Sequence, residues 1–318
     1  MISIVIGGAG FIGSYIVESY LSRSNSDQVI VYDNLSSGKL WHLEQISRDP
    51  RLNVVIKDIY DAELTETIGK ADQVLMLAAN PDIAKAATEP DIDFREGTVL
   101  VQLVLEAMRK TGKQRLFYAS GSGVYGDVGS TLVSENYSPM RPISTYGASK
   151  LGCEALISSY AYMFGIKATC FRFGNVVGGR QTHGVAYDFL LKLKANPRSL
   201  KILGDGQQSK PYIHISDVIA AIEITEKYQD EIFDVFNVAP SDATTVTEIA
   251  DIVREQMSIP RGECHYDYAG GNRGWKGDVP IVRLDTQKIE SLGWKCKYGS
   301  TEAVQRSVVE MFDNINRL

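Results

Sequence analysis

The sequence predicts an α/β fold, built on a doubly wound parallel sheet with a smaller, interleaved domain in its C-terminal half. In the first half of the chain, short apolar runs alternate with helical patterns, which is typical of a parallel sheet covered by helices. A glycine-rich turn, Gly7 to Gly13, joins the first apolar run to the first helical pattern. Beyond Asn175 glycines cluster and loops lengthen, which indicates a different architecture.

The predicted elements follow one another in the order that such a sheet needs. Helical patterns cover residues 11–21, 94–110, 146–164 and 216–228. Strands are predicted at Ile2–Ile6, Val29–Tyr32, Leu52–Ile56, Gln73–Leu77, Arg115–Ala119, Ala168–Phe171 and Asp234–Val238. The sheet domain is therefore assigned to residues 1–175 plus about 215–239, and the smaller domain to about 176–214 plus 240–318. The stretch 265–280 is predicted to be a long loop, a kind of segment that is often functional.

Composition argues against several classes of protein. The net charge is −6 and no run of lysine or arginine appears, so a nucleic-acid partner is not expected. No apolar run reaches the roughly 20 residues of a membrane span, and the segment before the glycine turn is too short for a secretion signal. The four cysteines are widely spaced and show no metal-ligand spacing, which favours a reduced, cytoplasmic setting without a metal site.

The glycine turn predicts a dinucleotide site. Gly7, Gly10 and Gly13 allow a tight turn and a close approach of the backbone to a ligand, and the helix that follows directs its N-terminal dipole at an anion. Asp33 follows the second strand and is placed to accept hydrogen bonds from an adenosine ribose. Its carboxylate would repel a 2′-phosphate, so NAD is preferred over NADP. The alternative is an ordinary glycine-rich turn between a strand and a helix.

A tyrosine and a lysine four residues apart give the second signal. Tyr146 and Lys150 share one helix face. A phenol ordinarily ionises near pH 10, so acid–base work at neutral pH needs a positive charge beside it, which a lysine ammonium supplies. An amphipathic helix with a chance pair is the alternative, and the dinucleotide turn upstream favours catalysis.

These motifs resemble the extended short-chain dehydrogenases/reductases, in particular the NAD-dependent sugar-nucleotide epimerases and dehydratases, and among these the 4-epimerases of UDP-glucose and UDP-galactose. The resemblance runs nearly end to end. It lies in Gly7 to Ser14, Asp33 to Gly38, Asp58-Ile59, Leu77 to Asn80, Val124 to Gly126, Tyr146 with Lys150, Arg172 to Asn175, Gly204 to Gly206, Tyr212 to His214, and Arg273 to Asp278.

The resemblance implies a Rossmann-like fold, tightly bound NAD and a set of site residues. The residues implied for NAD are Gly7, Gly10, Phe11, Ile12, Gly13, Asp33, Asn34, Ser37, Gly38, Asp58, Ile59, Leu77, Ala78, Ala79, Tyr146, Lys150 and Phe173. Tyr146 is the implied acid/base. Lys150 is implied to hold the nicotinamide ribose and to adjust the acidity of the Tyr146 phenol. Those implied for the sugar nucleotide are Asn175, Arg180, His183, Lys210, Tyr212, Arg273, Asp278 and Val282. Trp275 either stacks on the base or anchors its own loop.

Three sites depart from the family pattern, and the one at Ile6, where the family usually has a threonine before the glycine turn, is expected to matter little. Gly121 stands where the family has a serine or threonine whose hydroxyl contacts the reacting sugar oxygen, and Ser122 or Ser120 is the candidate substitute. Glu96-Gly97 stands where relatives carry an asparagine pair. The acids that dehydratases and decarboxylases use in the Ser122-Gly123 region are also missing, which leaves epimerisation as the expected reaction.

The expected activity is therefore NAD-dependent inversion of C4 in a UDP-hexose through a 4-keto sugar. The small Val282 is expected to leave room for an N-acetyl group, so UDP-N-acetylhexosamines are expected substrates as well. Two alternatives remain. The protein could be another NAD-dependent sugar-nucleotide epimerase or reductase, or a catalytically weak sensor that binds a dinucleotide. The family pattern also implies a homodimer through the helices at 94–110 and 146–164.

Overall fold

The structure is a computed structural model that describes residues 1–228 and 230–315, in two units. Unit 1 comprises Met1–Val124, Thr145–Arg172 and Ile222–Phe236. Unit 2 comprises Tyr125–Ser144, Phe173–Ala221 and the chain from Asn237 onward. Both units are therefore assembled from segments that are far apart in sequence.

A seven-stranded sheet carries the first unit, in the order β11-β6-β5-β4-β1-β2-β3. The strands are β1 (Ile2–Ile6), β2 (Gln28–Asp33), β3 (Leu52–Ile56), β4 (Gln73–Met76), β5 (Arg115–Gly121), β6 (Lys167–Phe173) and β11 (Phe233–Val238). β1 pairs in parallel with both β2 and β4, and Ile4 lies opposite Ile30 and Val74. The strand order reverses at β1, where a doubly wound sheet places its ligand. The predicted fold class is confirmed.

Helices follow these strands. They are α1 (Phe11–Arg23), α2 (Glu63–Gly69), α3 (Leu100–Thr111), α4 (Thr145–Phe164) and α6 (Ile215–Lys227). β1 is buried along most of its length, as expected for a central parallel strand. Ile4, Val104 and Ile157 are fully buried in one core with Tyr118.

The helical pattern at 94–110 proves to be two helices in series. A π-helical turn, Phe94–Val99, precedes α3. A Cβ built on Gly97 would lie 2.4 Å from the Ser149 hydroxyl oxygen on α4, so a side chain here would require the Ser149 hydroxyl to move. Gly97 thus lies at a close contact between these two helices.

Unit 2 has its own core between helices and short strands. Its elements are β7 (Asn175–Val177), α5 (Val185–Ala195), β8 (Ser199–Ile202), β9 (Ser209–Lys210), β10 (Tyr212–His214), β12 (Thr244–Thr245), α7 (Val246–Gln256), β13 (His265–Tyr268), α8 (Gln287–Glu290) and α9 (Ser300–Asp313). Leu190, Ile249 and Val308, from three different helices, are fully buried together. Thr245 and Glu248 form a capping box at the start of α7.

One predicted loop is partly wrong. The stretch 265–280 begins with β13, which pairs in parallel with β8. Tyr266 packs there against the buried core of unit 2, and the four-residue strand is too short to be read from an alternating pattern. Over the described ranges, every helix is too short or too polar to cross a lipid bilayer.

Candidate functional site

The glycine turn is tightly folded between β1 and α1. A Cβ on Gly13 would lie 2.3 Å from the Gly7 carbonyl oxygen, and Gly7 has a φ of +82°. Gly10 is the N-cap of α1, and no described side chain caps the helix there. The first N–H groups of α1 are therefore left to a ligand, and the turn fits the pyrophosphate of a dinucleotide.

Asp33 ends β2 beside that turn. Its carboxylate accepts hydrogen bonds from the backbone N–H groups of Ala9, at 2.9 Å, and Leu35, at 2.8 Å. A Cβ on Gly38 would lie 2.7 Å from the same carboxylate, so glycine is needed there as well. These contacts leave the carboxylate with further acceptor capacity, as a ribose hydroxyl requires.

The other residues predicted for the cofactor lie at neighbouring strand ends of unit 1. The Asn34 amide donates to the Asp58 carboxylate at 2.7 Å. The backbone N–H groups of Leu77 and Ala78 both donate to the Ile6 carbonyl, which places the end of β4 beside the glycine turn. Within unit 1, the structure thus brings together the residues predicted from distant parts of the sequence; Phe173, which ends β6, belongs to unit 2.

Tyr146 and Lys150 lie in the first two turns of α4. The Lys150 ammonium is buried and donates to the Ala119 carbonyl at 2.7 Å. It also lies 5.4 Å from the centre of the Tyr146 ring and 4.9 Å from that of Tyr118. The half-buried Tyr146 ring therefore lies beside a buried positive charge.

The two candidate serines are placed differently. Ser120 is buried at the end of β5, and its hydroxyl donates to Glu154 at 2.5 Å, so its hydrogen is already used. Ser122 is half-buried and begins the 3₁₀ turn Ser122–Tyr125. Among the described residues, no atom lies within 4 Å of a Cβ built on Gly121. The departure at Gly121 therefore leaves space where a side chain would fit.

In unit 2, three of the predicted substrate residues form one charged cluster. Lys210 pairs with the buried carboxylate of Asp278. Arg273 donates to the Asp278 carbonyl at 2.7 Å and to the Asp127 carboxylate at 2.6 Å. Asp127 was not predicted from the sequence; it directly follows the Val124 to Gly126 motif and lies far from Arg273 in the chain.

The remaining substrate candidates lie on two paired strands and the loops near them. Tyr212 pairs with Asn175 across β10 and β7, and burial raises the pKa of Tyr212, so its phenol stays neutral. Arg180 and the exposed His183 lie on the loop after β7. The Trp275 ring lies against Gly277 within its own loop.

Val282 lies on a segment that is held at both ends. The Ser209 N–H donates to the Pro280 carbonyl at 2.8 Å, and the Val133 N–H donates to the Arg283 carbonyl at 3.0 Å. Val282 itself is half-buried. Its side chain is thus carried by a backbone with little freedom to move.

Comparison with known proteins gives concordant results. The model of the NAD dependent epimerase/dehydratase family matches residues 3–239. A protein of Methanocaldococcus jannaschii, provisionally named a UDP-glucose 4-epimerase, is 33% identical over 99% of each chain. A crystal structure of a UDP-galactose 4-epimerase is 34% identical, with a TM-score of 0.88 over 99% of this chain and 100% of the other.

A second solved structure is that of the UDP-glucose 4-epimerase of Thermotoga maritima with UDP-glucose. It is 29% identical, with a TM-score of 0.86 over 99% of this chain and 100% of the other. The resemblance inferred from the motifs, the NAD cofactor and the fold are thereby confirmed. The structure has a dinucleotide turn with an acid after β2 and a Tyr–Lys pair on α4, and the family model matches residues 3–239. The chain therefore belongs to the NAD dependent epimerase/dehydratase family.

Proposed function

We propose that this protein is an NAD-dependent UDP-sugar 4-epimerase, which inverts C4 of a UDP-hexose such as UDP-glucose or UDP-galactose through a transient 4-keto sugar. The observation that carries the proposal is Tyr146 on α4 with the buried Lys150 ammonium 5.4 Å from its ring. Similar chains that are named UDP-glucose 4-epimerases, one of them solved with NAD, support it.

Unit 1 is the proposed NAD-binding unit. The glycine turn and the start of α1 hold the pyrophosphate, and Asp33 with Asn34 holds the adenosine ribose. When bound, NAD supplies the chemistry that the side chains lack, by accepting a hydride from the sugar and giving it back. Because no net oxidation results, the cofactor stays bound from one turnover to the next.

The acid–base work is assigned to α4 and the end of β5. Tyr146, as phenolate, accepts the proton of the sugar 4-hydroxyl and later returns it after the 4-keto sugar has turned its other face. Lys150 stabilises that phenolate by its charge. Ser122 is the hydroxyl that orients the reacting oxygen, since the Ser120 hydrogen is bound to Glu154.

Unit 2 is the proposed sugar-nucleotide unit. Lys210 and Arg273 provide positive charge for the diphosphate, the first as a point charge and the second as a planar fork. Asp278 and Asp127 hold these cations in place. Asn175, Tyr212, Arg180 and His183 complete the proposed set of substrate contacts.

The decisive experiment is the incubation of the purified protein with UDP-galactose, followed by separation of the product sugars. We expect UDP-glucose to appear without added cofactor. In Tyr146→Phe, kcat should fall on the order of 10³-fold while NAD stays bound, because only the acid/base is lost. Tyr228→Phe, at an exposed tyrosine outside the proposed site, is the control and should retain activity.

The other candidate functions give different results in the same assay. A reductase would consume added reduced nicotinamide cofactor, with a loss of its near-ultraviolet absorbance. A sensor would hold NAD and leave UDP-galactose unchanged. Full activity in Tyr146→Phe would overturn the assigned mechanism.

Val282 is proposed to set the size limit at C2 of the sugar. A small side chain on a segment fixed at Pro280 and Arg283 leaves room for an N-acetyl group. Val282→Tyr should therefore abolish turnover of UDP-N-acetylhexosamines and leave that of UDP-hexoses within a few fold. Equal loss of both activities would contradict this role.

We also propose that the protein is a cytoplasmic homodimer. The four cysteines are all unpaired, as is usual in a reducing compartment. The outer faces of the helices at 94–110 and α4 expose apolar side chains that a second copy would cover.

A further inference from the structure

A fully buried ion pair lies behind the proposed catalytic residues. The Glu154 carboxylate on α4 accepts hydrogen bonds from the guanidinium of Arg172 on β6. Arg172 Nε lies 3.1 and 3.2 Å from the two carboxylate oxygens, and Nη2 lies 2.7 Å from one of them. Glu154 is 4% exposed and Arg172 is 3% exposed. Such pairs contribute little net stability, because removing two charges from water costs about as much as their attraction returns. The pair is therefore better explained by the geometry that it fixes.

That geometry is the end of β5. Glu154 accepts the Ser120 hydroxyl at 2.5 Å, and Lys150, one turn earlier on the same face of α4, donates to the Ala119 carbonyl at 2.7 Å. Two consecutive residues of β5 are thus bound by two side chains of the helix that carries Tyr146. We call these two bonds the β5 clamp.

The segment that follows the clamp leaves open space around its two glycines. A Cβ on Gly121 would meet no described atom within 4 Å, and one on Gly123 would meet only the Gly147 Cα, at 3.5 Å. Ser122 lies between these two glycines and begins the 3₁₀ turn Ser122–Tyr125, two residues after the clamp. The nearest residue of β5 that a side chain of α4 binds is therefore Ser120.

We propose that Ser120 and Glu154 are positioning residues, which hold the Ser122 hydroxyl in register with the Tyr146 phenol. Arg172 binds both carboxylate oxygens of Glu154 and so holds the carboxylate in the orientation that accepts the Ser120 hydroxyl. This inference rests on the proposed function, because it gives the clamp its purpose in proton transfer. Displacement of a reacting group by about 1 Å costs up to 10²-fold in rate, so a clamp of this kind has a measurable effect.

The test uses Ser120→Ala and Glu154→Gln in the full-length protein. We expect Ser120→Ala to lower kcat for UDP-galactose about 10-fold or more, with KM within about twofold and NAD content unchanged, because orientation matters most in the transition state. Ser120→Thr, which keeps the hydroxyl, should restore most of kcat. Ser307→Ala, which removes a fully buried serine hydroxyl in α9, is the matched control.

A second measurement does not depend on activity. Backbone amide hydrogen exchange at residues 121–124 should rise about 10-fold or more in Ser120→Ala and Glu154→Gln and stay unchanged in Ser307→Ala. If exchange rises but the unmodified protein does not epimerise UDP-galactose, the proposed function fails while the clamp stands. If neither exchange nor kcat changes, or if NAD and kcat are lost together without local change in exchange, the inference is overturned.

Discussion

At the scale of single residues, the proposed function assigns the hydroxyl beside the reacting sugar oxygen to Ser122. Gly121 has no side chain, and Ser122, one residue later, is the candidate in its place. A Cβ on Gly121 would meet no described atom of a more distant residue within 4 Å. Steric crowding therefore does not explain why this position lacks a hydroxyl side chain. The turn between β5 and the 3₁₀ segment can therefore host a serine at either position.

This arrangement predicts the behaviour of two variants. Ser122→Ala should lower kcat on the order of 10²-fold, because one hydrogen bond to the reacting oxygen is lost. Gly121→Ser in that background should recover part of the rate, and steady-state kinetics with UDP-galactose measures both. Gly262→Ser, at another open position, is the control and should recover nothing. An undiminished rate in Ser122→Ala would assign the role to another group.

The sequence reveals residues whose roles depend on local spacing. Tyr146 and Lys150 are one helical turn apart, and Asp33 follows a strand, so each can be found from a short motif. Short motifs do not reveal the roles of Glu154, Arg172 and Asp127. Their partners are distant in sequence, and only the fold brings them together. For the same reason, the sequence gives no means of separating Ser120 from Ser122.

At the scale of elements, α3 and α4 are joined by a polar contact near their ends. Glu106 of α3 accepts Arg109 at 3.0 and 2.9 Å and the Tyr160 hydroxyl of α4 at 2.6 Å. The Arg109 guanidinium, followed by the Tyr160 hydroxyl, lowers the pKa of Glu106 from 4.5 to about 2. The carboxylate is thus favoured in the folded state.

This lowered pKa predicts a pH-dependent contribution to stability. A carboxyl whose pKa falls on folding stabilises the protein at every pH above its pKa in the unfolded state, here 4.5. The stabilisation is lost as the pH falls from there toward the folded-state pKa of about 2. Because the group is partly exposed, about 1 kcal/mol or less is expected at neutral pH. Urea unfolding of Glu106→Gln should show this loss at neutral pH and a smaller loss below pH 4.5. Glu66→Gln, in an exposed pair, is the control, and a loss that grows with acidity would contradict the assignment.

The strands β1 and β3 were predicted with the correct bounds because each is a short run made mostly of β-branched apolar residues. Ile2–Ile6 and Leu52–Ile56 have the predicted bounds, and the helix predicted from Tyr146 begins one residue earlier. The π-helical turn before α3 was not predicted, because the apolar pattern at 94–110 does not distinguish it from an α-helix. β13 was missed because four residues are too few for an alternating pattern to be recognised.

At the scale of the whole molecule, the outer faces of the helices at 94–110 and α4 remain to be explained. Phe94, Tyr162 and Met163 are exposed by 60%, 72% and 71%. On α4 the exposed or half-buried positions 148, 152, 155 and 159 carry only alanine, glycine and serine. Exposed apolar surface of this kind marks an interface, and small residues let a second helix approach closely.

In the predicted dimer, a second copy of this chain would cover the exposed faces of these helices. In a two-fold dimer the same patch faces itself, so a residue near the axis meets its own copy. Ala155→Arg would place two positive charges against each other there, and sedimentation at micromolar concentration should show a monomer. Ala195→Arg, at an exposed alanine of α5, should leave the dimer intact. If the unaltered protein sediments as a monomer, or if Ala155→Arg remains dimeric, the exposed face of α4 is not the dimer interface.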